Sequence, residues 1–181
     1  LRGRRVAVPG AWTSAALALR LYVPEVEPVV VRFDAIAGAV KAGNVDAGVL
    51  IHEGQLTYAD EGLHLVADLG AWWHEETGLP LPLGVNVVRR DLGDPLIRAV
   101  ARAVRASIEY ALAHREEALA YAREYARGLA PEQVDRFVGM YVNRRTLAMG
   151  PEEERAIEEF LGRAHDAGLL PQRVRPEFAD L

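Results

Sequence analysis

The chain contains no cysteine. That one absence excludes disulfides, thiolate metal sites and cysteine nucleophiles together. No apolar run approaches the roughly 20 residues needed to cross a bilayer as a helix, and no signal-peptide pattern opens the sequence. An initiator methionine is also missing, and Leu1 to Pro9 enters a strand almost at once. We therefore expect an N-terminal segment, with any export signal, to precede Leu1. Lysine is scarce: of 21 cationic side chains only Lys41 is lysine. The arginine bias reads as genome composition or thermal adaptation, not as a phosphate-binding surface. The net charge of −5 is spread along the chain and no basic stripe occurs, which argues against nucleic acid as a partner.

Several motifs are absent as well. Neither GxGxxG nor GxxxxGK(S/T) is found, so nucleotide hydrolysis is disfavoured. HExxH fails because position 56 is leucine, and His64, His74, His114 and His165 are scattered as surface residues would be. No metal site is expected. A serine triad has no GxSxG elbow to support it.

What is present is a sizeable core. The chain has 181 residues, and half of them are apolar. That is room for one medium domain or two small lobes, and too apolar for disorder. Strands and helices alternate over the first ninety residues. The pattern predicts strands at Arg5–Pro9, Val26–Phe33, Val45–Ile51, Leu63–Ala67 and Leu83–Arg89. Thr13 or Ser14 caps a helix to about Tyr22, and Asp34 caps a short helix that Gly43 stops. Such alternation implies βαβ units and a largely parallel sheet. Beyond Arg90 only helices are predicted. Asp94-Pro95 opens the first, whose stripe is Ile97, Val100, Val104, Ile108 and Leu112. A second runs from Arg115 to Arg127 and stops at Gly128; Pro131 and Pro151 open two more. Residues 1–88 thus read as an α/β lobe. Residues 89–181 read as a helical segment that packs back on another lobe.

Two places carry chemistry. The strand Val45–Ile51 ends on His52 and Glu53 and runs into a loop, with Gln55, Thr57 and Tyr58 close behind. Ligands collect beyond the carboxyl ends of strands in open α/β sheets, and an imidazole exchanges protons near neutral pH. The turn Pro9–Ala16 follows a strand and opens a helix. Thr13 and Ser14 there serve either as helix caps or, with the helix N-terminus, as a carboxylate or phosphate site. Asn86, inside a predicted apolar strand, reads as a hinge or ligand contact. Tyr141 and Asn143, at a helix end, are weaker cleft candidates. Of the adjacent pair Trp72 and Trp73, one fills core and the other either packs or walls a cleft.

The ordered set VAVPGxxTS, VDAGVLIHEGQLTY, DLGAWW, TGLPLPLG, RRDLG and YVN resembles 1,4-dihydroxy-6-naphthoate synthase of the futalosine route to menaquinone. The resemblance runs across the whole chain. It implies a type II periplasmic-binding-protein fold, with two α/β lobes around a cleft, the first lobe largely lying before residue 1. It implies His52 at the end of a central strand as the proton-abstracting base, and Thr13 and Ser14 as substrate-binding residues. It implies a cytoplasmic carbon–carbon lyase acting on a small carboxylate substrate, cyclic dehypoxanthine futalosine, with release of a dihydroxyacetone fragment. No metal, organic cofactor or membrane is implied. The competing reading is a solute-binding or sensor protein for a small organic anion, since fold alone does not settle function. A sister enzyme acting on chorismate shares the fold, but Ile51-His52-Glu53 argues against it.

Overall fold

The computed structural model describes residues 1–125 and 131–179. It divides into two compact units, Leu1–Gly84 with Arg155–Arg175, and Val85–Glu154 with the chain from Pro176 onward.

The first unit is built on three parallel strands, β1 (Arg5–Val8), β2 (Glu27–Val30) and β3 (Ala47–Gly48), in the order β2-β1-β3. Mixed α/β structure with a parallel sheet is thus what the alternation predicted. Strand β1 holds the centre because its Val6, Ala7 and Val8 are apolar on both faces, as a strand covered on both sides must be. Val6 and Val8 pack against Ala16 and Leu19 of α1 (Ser14–Tyr22). Ala7 faces the other way, onto Ile36 of α2 (Ile36–Lys41). A side chain at position 48 would collide there: a Cβ would sit 2.3 Å from Ile36 Cγ2. Glycine at that position lets α2 close on the sheet.

A short helix α3 (Gly54–Thr57) follows β3, and α4 (Leu69–Thr77) brings in the tryptophans. Trp73 is fully buried with Ala18 and Phe160. Its ring meets Phe160 edge-on at 5.3 Å, and its Nε1–H donates to the Pro80 carbonyl at 3.2 Å. Trp72 is half-buried and packs edge-on against Tyr22 at 5.2 Å. Both are therefore packing residues.

In the second unit lie α5 (Asp94–Ala113), α6 (Arg115–Arg123), α7 (Pro131–Tyr141) and α8 (Arg144–Leu147). Helix α9 (Pro151–Asp166) opens on three glutamates, which suit the positive end of the helix dipole. The expected end of α6 at Arg127 and Gly128 lies outside the described residues. Gly93 occupies the cap position ahead of α5, so Asp94 is its first residue and not its cap.

Three other expectations need correction. Val45–Ile51 contributes only the two paired residues of β3, which is the edge of the described sheet and not its centre. Leu63–Ala67 and Leu83–Arg89 form no strand. A strand exists only where a neighbour takes its N–H and C=O groups, and among the described residues the ladder stops at β3. Most of their apolar side chains stand in solvent, Val87 at 87% exposure. Asn86 is consequently exposed and is not a buried amide. Finally, Asp34 does not cap α2. It sits in a 3₁₀ turn, Phe33–Ala35, and its carboxylate takes two bonds from Arg32, at 2.8 and 2.5 Å.

The close approach at Gly48 yields a first prediction. Gly48→Ala should lower stability by about 1–3 kcal/mol, the usual cost of overpacking a filled core. A urea midpoint equal to that of the parent would mean that α2 does not rest on β3 at this point.

Candidate functional site

Parallel pairing sends the carboxyl ends of β1, β2 and β3 to one edge. The ladder runs a residue past the strands: Val31 N–H donates to the Val8 carbonyl at 3.0 Å, and Val49 N–H to that of Ala7 at 2.8 Å. The turns that leave this edge begin at Pro9, Arg32 and Leu50.

The first turn carries Trp12, Thr13 and Ser14. Thr13 is the N-cap of α1: its Oγ1 accepts from Ala16 N–H at 3.2 Å and donates to the Gly10 carbonyl at 2.8 Å. Ser14 Oγ donates to the Leu83 carbonyl at 2.6 Å. A hydroxyl has a single proton, so in this arrangement both hydroxyl protons are committed to backbone. What the turn offers an anion is its helix N-terminus. The first N–H groups of a helix have no carbonyl within it to bond, and those of Ser14 and Ala15 precede the capped Ala16. Trp12, 89% exposed, stands beside them.

The second and third turns meet. The Phe33 ring lies against the His52 imidazole, with centroids 4.7 Å apart and planes tilted by 44°. Adjacent strands are about 4.8 Å apart, so residues leaving β2 and β3 touch only by reaching past the end of β1. His52 itself is exposed and adopts φ of 55°, the one positive φ outside glycine among the described residues. That left-handed backbone costs an L-residue roughly 1–2 kcal/mol. Such strain gathers where surrounding structure needs a side chain aimed in one direction. On the rim, the hydrogen bond and charge of Asp34 hold the Arg32 guanidinium above its ordinary range.

The sequence-predicted residues Thr13, Ser14 and His52 therefore all belong to the carboxyl edge of one sheet. Asn143 and Tyr141 lie in the second unit, where Asn143 caps α8 by accepting from Arg145 N–H at 2.9 Å and Tyr141 packs on Phe137. Two residues were passed over. Trp12 was visible as a large aromatic in a turn. Phe33 had no signal beyond lying at the end of a strand.

The model of a menaquinone-biosynthesis family matches residues 1–166 of this sequence. The chain belongs to that family. It is 51% identical over 178 residues to a protein of Thermus thermophilus, covering 98% of this chain and 65% of that one. It is 42% identical over 177 residues to a protein of Streptomyces coelicolor, covering 94% and 63%. Both carry the name 1,4-dihydroxy-6-naphtoate synthase. A crystal structure of a protein from Archaeoglobus fulgidus is 48% identical and superposes with a TM-score of 0.90, covering 94% of this chain and 64% of that one. The chain thus spans a little under two thirds of the length of these relatives.

The backbone at His52 generates a second prediction. Alanine normally outranks glycine in stability, but at a left-handed position the order reverses. His52→Gly should be more stable than His52→Ala by about 1 kcal/mol. Equal denaturation midpoints for the two variants would remove the strain argument.

Proposed function

We propose that this chain carries the catalytic edge of a 1,4-dihydroxy-6-naphthoate synthase, a carbon–carbon lyase of menaquinone biosynthesis. Its substrate would be cyclic dehypoxanthine futalosine, and a dihydroxyacetone fragment would leave. The observation that carries this reading is His52. It is held at the carboxyl edge of a parallel sheet in a strained backbone, against an aromatic ring. The family match and the names of two relatives favour an enzyme over a solute-binding or sensor protein.

The chemistry follows from the residues. Opening the substrate ring and losing three carbons requires a proton to move and a C–C bond to break. The neutral imidazole of His52 takes the proton, and its conjugate acid returns it; such a group contributes typically ~10²–10⁴-fold. The substrate carboxylate lies at the start of α1, on the N–H groups of Ser14 and Ala15. The Thr13 hydroxyl keeps that turn in shape through its cap. Ser14 joins the anion contact only if its proton turns from the Leu83 carbonyl to the ligand. No cofactor enters this reading.

The surrounding architecture belongs to the same proposal. Two lobes of the type II periplasmic-binding-protein kind would close over this edge and exclude water from the intermediate. Residues 1–88 would be one α/β lobe, on which α9 packs through Phe160, and the helical segment from 89 up to α9 would return to the other. Among the described residues no helix is long and apolar enough to cross a membrane. The cytoplasmic location proposed here rests on the biosynthetic role alone.

The decisive assay is product formation by the purified full-length protein. His52→Ala should lose at least ~10²-fold in kcat while KM changes little. Turnover within a few-fold of the parent would make His52 structural and return the solute-binding reading. Replacing Thr13 and Ser14 together by alanine should weaken substrate binding by roughly 1–3 kcal/mol. An unchanged KM and kcat in that double variant would show that neither the Thr13 cap nor the Ser14 hydroxyl supports the anion contact.

A further inference from the structure

We propose that Phe33 is a positioning residue for His52, holding the imidazole plane in the orientation from which it exchanges a proton. This rests on the reading that His52 is the base. An exposed side chain changes rotamer in picoseconds to nanoseconds. A general base, in contrast, must lie within about 2.6–3.2 Å of the proton it takes. A misplacement of about 1 Å can cost ~10²-fold in rate.

The local backbone does little to meet that demand. Strand β3 has two paired residues, and His52 lies beyond both. The left-handed φ of 55° aims the side chain but does not fix its ring. The ring contact with Phe33, at 4.7 Å, supplies a constraint of that kind.

Phe33 is itself well anchored. It follows Val31, which is bonded to the central strand, and opens a turn closed by Ala35 N–H donating to the Arg32 carbonyl at 2.8 Å. The next residue after that turn, Ile36, is fully buried in the core. The charged neighbours of Phe33, Arg32 and Asp34, are paired with each other. A phenyl ring is also suited to the task chemically. It fixes the plane of an imidazole without consuming a ring nitrogen that proton transfer needs.

The test compares Phe33→Ala and Phe33→Tyr with the parent, by steady-state kinetics and by NMR of the His52 ring protons. Phe33→Ala should lower kcat by roughly 10- to 100-fold with KM within about 2-fold. The ring-current shift of the His52 protons should vanish. Phe33→Tyr keeps the ring and should restore both. A Phe33→Ala kcat within about 2-fold of the parent, or His52 ring signals unmoved by that substitution, would overturn the inference. So would failure of Phe33→Tyr to restore kcat. Should the parent itself form no product, the lyase reading fails, while the His52 signals still decide whether Phe33 fixes the ring.

Discussion

The constraint on which the site depends is the parallel pairing of β1 with a strand on each side. Parallel strands all end at one edge, and each must be left by a crossover that returns the chain to the other end. The turns bearing Thr13, Phe33 and His52 meet at that edge for this reason alone. The pairing holds because β1 is apolar on both faces. Val6 and Val8 bury against α1, and Ala7 against Ile36. The fit on the second face is tight enough that Gly48 has room only for hydrogen. A change in the core is thus felt at the edge, since α2 is held to the sheet one residue after the turn that carries Phe33.

On the proposed reading, the start of α1 serves two demands that compete. A helix needs its first N–H groups satisfied, and a Thr cap contributes about 1 kcal/mol. An anion site needs some of those same groups left for the ligand. Thr13 resolves the conflict by taking one donor, the N–H of Ala16, and leaving those ahead of it. Ser14 is bound to a carbonyl far along the chain, that of Leu83. Its hydroxyl ties the turn to the segment ahead of the second unit. The two residues that look alike in sequence therefore differ in physical role: one shapes the helix end, the other holds a distant backbone segment beside it.

Much of this was legible from residues. β-branched and small apolar runs marked β1 and β2, and Thr13 before an Ala/Leu stretch marked the start of α1. A histidine after VDAGVLI marked the third turn. The misreadings share one cause. Leu63–Ala67, Leu83–Arg89 and the length of β3 were judged from propensity, but a strand is a relation between two segments, and propensity describes one. Where the described residues give no neighbour, Val85 and Val87 stay exposed and Asn86 with them. The cap assigned to Asp34 failed for a related reason: Arg32, two residues away, offers the carboxylate a bidentate partner, which is stronger than a bond to a neutral N–H. The contact of Phe33 with His52 was out of reach, because it joins two turns across a third.

Magnitudes suggest why the third turn is built as it is. The left-handed backbone of His52 costs roughly 1–2 kcal/mol. An aromatic contact of the kind made with Phe33 returns about 0.5–1.5 kcal/mol. The two nearly cancel, so the geometry is neither a stabilising feature of the fold nor a serious burden on it. Glycine at this position would spare the backbone its cost, and the fold alone gives no reason to keep a side chain there. A near-zero balance with a specific orientation as its result is what pre-organisation requires. On the proposed reading, the left-handed backbone and the ring contact together set the imidazole, and the buried Ile36 anchors the turn that carries Phe33. With His52 as the proposed base, an orientation set during folding, before any ligand arrives, spares binding energy that would otherwise be spent on it.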